Sequence, residues 1–149
     1  MKRVIFFFTL FITIRPDAAA CLCSQLNLRE ISQWVEQQNR IFFLGTVVKI
    51  KELKIQNRNG KHDLLVARLV TFRIDKGWKK SGHTFIKIST GGGQGDCGLG
   101  FVKSEQYLVD ATKENSFYET DTCTATRKIA DAKELILALN KWQKDQKSK

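Results

Sequence analysis

The sequence predicts a mainly β domain: a small closed or partly open antiparallel barrel, with one helix before it and one after it. Three observations carry that reading. Short runs rich in β-branched and aromatic residues recur between Ile41 and Thr122. The apolar period turns helical on either side of them. All four cysteines follow a leader-like start, which marks an exported chain stapled by disulfides.

The leader comes first. Lys2 and Arg3 precede the apolar run Val4–Ile14, and Arg15-Pro16-Asp17-Ala18-Ala19-Ala20 supplies a breaker and an A-x-A cleavage site. This is the anatomy of a signal peptide spanning residues 1–20, and the run is too short to cross a bilayer as a helix. Cleavage after Ala20 leaves residues 21–149 as one domain with one core, secreted or periplasmic. Losing Lys2, Arg3, Arg15 and Asp17 lowers the formal charge from +10 to +8, which favours solubility and attraction to polyanions.

Asn27 followed by Glu30 resembles a capping box, and Leu28, Ile31 and Val35 recur at helical spacing. Ile41–Ile50 reads as a long strand with a bend or bulge at Gly45. Gln56–Asp63 is a polar connection whose Asn59-Gly60 signals a hairpin. Leu64–Ile74 alternates, with Val66, Val70, Phe72 and Ile74 on one face and Arg68 the exception. "TFIKIS" and "QYLVDAT" supply two more strands and "SFYETDT" a fifth. From Lys128 a helical stripe runs through Ile129, Ala132, Leu135, Ile136, Leu139 and Trp142, and the charged tail "KDQKSK" is expected to fray. Five short strands with flanking helices favour an OB-like barrel among small β folds.

Cys21 and Cys23 are too close to bridge one another easily, so each is expected to reach Cys97 or Cys123, and both such pairings remain open. Loops of roughly 100 residues gain about 4–5 kcal/mol each in the chain-entropy model, an upper figure. A zinc site lacks the second cysteine or histidine pair it would need.

Six of the ten glycines lie between Gly91 and Gly100. The stretch has no G-K-[ST] and no helix pattern after it, so it reads as tight turns beside Cys97 and not as a phosphate loop. Nucleophilic catalysis finds no free thiolate with a base at hand: His62 and His83 fall in polar turns, and no carboxylates pair at a motif spacing. No enzyme and no cofactor of its own are expected. Lys49, Lys51, Lys54, Arg58 and Lys61 surround the first hairpin, where they either contact a polyanionic glycan or protect a solvated edge; export argues against nucleic acid.

The C-x-C at the cleavage seam, "FFLGTVV", "VTFRIDKGWK", "TGGGQGDCG", "YLVDA" and "DTCTAT" together resemble the tissue inhibitors of metalloproteinases, in particular their N-terminal inhibitory domain and short bacterial relatives. The likeness runs from Cys21 to about Leu139. It implies an OB fold and bridges Cys21–Cys97 and Cys23–Cys123. It also implies a zinc metalloprotease as partner, with the α-amine and carbonyl of Cys21 chelating the protease's catalytic zinc and Leu22 in its specificity pocket. Cys23, Ser24 and Asp96 would complete the inhibitory wedge, Asp96 beside a protease carboxylate. Where the family commonly has a small or apolar residue and then Pro after the second cysteine, this chain has Ser24-Gln25, and it has cysteines for two of the family's three disulfides.

Ala18-Ala19-Ala20-Cys21 also resembles a lipoprotein cleavage site, which would anchor the chain to a membrane and cap the amine. Ala18 in place of a large aliphatic, with Arg15 and Asp17 before it, favours ordinary cleavage. The competing function is a non-inhibitory OB or netrin-like module that binds polyanions or proteins at the cell surface.

Overall fold

The computed structural model describes residues 21, 23, 27–56, 63–79, 82–93 and 95–148. The expected leader, the wedge residues Leu22 and Ser24, Gln25 after them, the Asn59-Gly60 turn, and Arg58, Lys61 and His62 lie outside the described residues. A short helix α1 (Ile31–Glu36) leads into strands β1 (Arg40–Gln56), β2 (Asp63–Gly77), β3 (Phe85–Gly91), β4 (Gln106–Glu114), β5 (Phe117–Glu119) and β6 (Arg127–Lys128), and helix α2 (Lys133–Lys147) follows. The sheet order is β1-β2-β3-β5-β4-β6, and β1 also pairs with β4. Five strands therefore close into a ring, with β6 attached outside it along β4.

Alternation along the strands explains why the chain carries two apolar clusters. On β1, Phe43 and Val47 face the interior of the ring; there they join Val70, Phe72, Ile88, Phe101 and Val109. Phe101 packs edge-to-face on Phe72 and Tyr107, with centroids 5.2 and 4.9 Å apart. Phe42, one residue earlier, points outward; with Leu108 it packs under Ile31, Val35, Leu135 and Leu139 of the two helices. The run "IFFL" is continuously apolar because both of its faces are covered.

Several expectations change. The pairing of β3 with β5 is parallel, Ile88 opposite Tyr118, so the ring is not wholly antiparallel. β1 extends well beyond its expected end at Ile50, because the mixed stretch Lys51–Gln56 continues to pair with β2 through backbone hydrogen bonds. A register shift does fall between Leu44 and Gly45, but its extra residue is Asp75 on β2, so the bulge is on the partner strand and not at Gly45 itself. Of two further shifts, one falls between Val47 and Lys49, and the other, at Leu53/Lys54, leaves Val66 as the extra residue on β2, where it is 37% exposed. Asn27 caps a 3-10 turn before α1: its side chain accepts from the Arg29 N–H, while its amide donates to Glu30, so the contact with Glu30 is side chain to side chain. At the other end α2 begins at Lys133, after a 3-10 turn over Ile129–Asp131. It continues through most of the charged tail to Lys147. Lys144 and Lys147 complement the negative helix end there.

Candidate functional site

The two disulfides are Cys21–Cys97 and Cys23–Cys123, with Cα atoms 5.8 and 4.8 Å apart. They fasten the start of the expected mature chain to two loops, one after β3 and one after β5. Those loops are joined directly, since the Thr122 N–H donates to the Cys97 carbonyl at 2.9 Å. Positions 21 and 23 thus rest on one continuous platform.

The glycine-rich loop is organised by Asp96. Its carboxylate accepts the N–H groups of Gly92 at 2.6 Å, Gly93 at 2.7 Å and Gly98 at 3.2 Å. These donors, led by Gly93 and Gly92, hold the Asp96 carboxyl below the usual carboxylate range. Glycine is required where the loop folds on itself: a Cβ on Gly98 would collide with the Gly91 carbonyl. Gly93 and Gly95 have φ of 85° and 88°, and Cys97 shares the left-handed region at 60°. The tight-turn reading of this stretch matches these observations. Asp96 is expected beside the wedge; its charge is here already engaged by backbone dipoles within its own loop.

The Cys123 loop stands on a buried polar network that sequence reasoning missed. Asp110 on β4 is fully buried, and the Arg40 guanidinium grips both of its oxygens at 2.6 Å. The same carboxylate accepts the Ala125 N–H at 2.8 Å, and the Thr126 hydroxyl accepts the Asp110 N–H at 2.9 Å. The Thr120 hydroxyl lies 2.9 Å from the Asp110 carbonyl as its donor. Arg40 also lies over the Trp34 ring at 4.3 Å. One signal was available: Asp110 is the single carboxylate inside the apolar β4 pattern "YLVDA", and such a residue is buried only with a partner. Its partner is 70 residues away, which no spacing rule reaches.

Beside the Cys23–Cys123 bridge lies an open groove of about 630 Å³, lined by Leu28, Arg127, Lys133, Glu134 and Leu135 among others. A second cavity, of about 370 Å³, gathers Asp96, Glu114, Glu119 and Asp121. Among the described residues no group of three or more His, Cys, Asp or Glu side chains is arranged to hold a metal.

The basic residues of the first hairpin separate. Ile50 packs on the interior cluster, so its neighbours Lys49 and Lys51 face outward. Lys54 alternates to the other face and pairs with Glu52 at 3.2 Å. No protein-family model and no curated protein matches the chain.

Proposed function

We propose that the chain is a secreted inhibitor of zinc metalloproteases with an OB-fold, netrin-like barrel related to the tissue inhibitors of metalloproteinases. The observation that carries the reading is the double fastening of Cys21 and Cys23 to two hydrogen-bonded loops. After cleavage at Ala20, Cys21 becomes the first residue. Its α-amine and carbonyl lie close enough on one residue to occupy a single metal position together.

A catalytic zinc keeps one position open for water or substrate. A neutral amine and a carbonyl oxygen displace that water as a pair. The α-amine has an ordinary pKa of about 7.7–8.0, so near neutral pH the metal displaces a weakly held proton. A free chain end would lose much of this gain in ordering itself, and two bridges remove most of that cost in advance. Leu22 then enters the apolar specificity pocket beside the zinc, and the groove next to Cys123 leaves room for the rim of the protease cleft. The chain performs no chemistry itself.

The test compares the chain starting at Cys21 with one carrying an additional Ala before it, both titrated against a zinc endopeptidase. The extension moves the amine one residue away from the fixed carbonyl. Inhibition is expected to disappear, while both forms keep the same circular dichroism. Equal potency of the two forms would falsify the chelation.

A further inference from the structure

The chain adopts one pairing of its cysteines although the wrong partners lie close at hand. Cys21 and Cys23 have only Leu22 between them, so their Cα atoms are at most about 7 Å apart. Their partners, Cys97 and Cys123, sit on loops joined by the hydrogen bond from the Thr122 N–H to the Cys97 carbonyl. Exchanging the partners would alter the separations of 76 and 100 residues by two residues each. Loop-closure entropy follows the logarithm of length, so it does not make the choice.

What distinguishes the two partners is how each is held. Asp121 lies two residues before Cys123, and its carboxylate accepts the Cys123 N–H at 2.8 Å. The Thr124 hydroxyl donates to the Asp121 carbonyl at 2.8 Å, and the next N–H, of Ala125, donates to Asp110. On the other loop the Asp96 carboxylate accepts N–H groups from both sides of Cys97, those of Gly92, Gly93 and Gly98. Cys97 sits in the left-handed region at φ 60°, which sets the direction of its Cα–Cβ bond relative to that cradle. None of these hydrogen bonds involves Cys21 or Cys23. Each loop therefore has the means to aim its thiol with no bridge present.

We infer that Asp121 and Asp96 direct the disulfide pairing, Asp121 by aiming Cys123 at Cys23 and Asp96 by aiming Cys97 at Cys21. Both are positioning residues that act through the backbone. Positions 21 and 23 are then the last to be fixed, on loops already shaped to receive them. Each bridge forms by exchange with a small-molecule disulfide such as oxidised glutathione. Two cysteine thiols give up two protons and two electrons, and the glutathione disulfide leaves as two glutathione thiols. Exchange depends on access to the sulfur, so a thiol held in line is favoured over one that is not. The inference concerns the bridges alone and does not depend on the inhibitory reading.

The test refolds the full exported chain from its reduced form in a glutathione redox buffer. Cys21→Ser leaves Cys23 to choose between Cys97 and Cys123. Trypsin puts these three cysteines on separate peptides, so a mass map reads the choice directly. Cys123 is expected to be favoured at least tenfold. Adding Asp121→Ala should lower that ratio about tenfold, as the loss of a hydrogen bond to a charged group implies. Asp121→Asn keeps an acceptor oxygen and should stay within about threefold of the starting ratio. Val47→Ala, which opens a cavity in the barrel interior outside both loops, should change it by less than about twofold. In the mirror experiment, Cys23→Ser with Asp96→Ala should turn Cys21 from Cys97 toward Cys123 by a similar factor. Should the one-bridge forms fail to fold, chymotryptic cleavage after Leu22 reads the same choice in the four-cysteine chain. An even split or a Cys97–Cys123 bridge before any Asp is changed would overturn the inference. So would a ratio unmoved by Asp121→Ala or Asp96→Ala, or one that falls as far with Asp121→Asn or Val47→Ala.

Discussion

Asp110 and Arg40 illustrate how much a single buried pair can hold. The carboxylate accepts from Arg40 and from the Ala125 N–H, so it fixes the loop that carries Cys123 as well as neutralising a guanidinium inside the fold. Asp110→Ala strands Arg40, which is only 13% exposed, and should cost about 3–5 kcal/mol. Urea unfolding at neutral pH with both bridges intact measures it; a loss below about 1 kcal/mol, the size of a surface pair, contradicts the network's role. Asp96 gives a pH-dependent counterpart. Its folded pKa is lowered by the Gly93 and Gly92 N–H groups, so the stability it adds is present above the ordinary carboxylate range and is lost as pH falls through the lowered value. Thermal melts of the parent chain should therefore drop more steeply on acidification than those of Asp96→Asn, and parallel curves would remove Asp96 from that role. Neither residue's partners were legible in the sequence. Asp96 is one carboxylate among glycines, and the acceptor role that organises the loop depends on which N–H groups its turns bring inward.

At the scale of elements, the strands were legible because burial imposes its own period. Val70, Phe72, Ile86 and Ile88 alternate, and the structure buries all four. The helical stripe was equally plain at Leu135 and Leu139. Leu139→Ala, at a fully buried position between α2 and the outer face of β1 and β4, should cost about 2–5 kcal/mol in the same urea measurement. What escaped was polar extension and pairing. Lys51–Gln56 continues β1 although its apolar residues, Leu53 and Ile55, stay exposed, because backbone hydrogen bonds are indifferent to side chains. The two residues of β6 are too few for any pattern. The parallel step between β3 and β5 belongs to topology, which a period cannot encode. The glycine-rich loop is the element most exposed to a small change: Gly98→Ala would press a methyl group against the Gly91 carbonyl. It should lower stability by about 1–3 kcal/mol and weaken inhibition with it, since Cys97 is the next residue toward the N-terminus. Unchanged inhibition in a variant of reduced stability would separate the loop from the wedge.

Over the whole molecule, the five-stranded ring supplies a rigid body, and two cross-links of 76 and 100 residues' separation bind positions 21 and 23 to one end of it. Acidic side chains gather in a cavity near that end, while Lys49, Lys51 and Lys87 are exposed on the strands β1 and β3. Two disulfides were expected from the cysteine count and the leader-like start, and their pairing from the resemblance to the tissue inhibitors; the structure has both bridges. The closest test of zinc chelation reads the metal itself. A zinc endopeptidase whose zinc is replaced by cobalt reports its ligands through its visible absorption. The chain beginning at Cys21 should change that spectrum stoichiometrically as it inhibits, and the form extended by one Ala should leave it unchanged. Inhibition with an undisturbed cobalt spectrum would mean that the amine of Cys21 never reaches the metal.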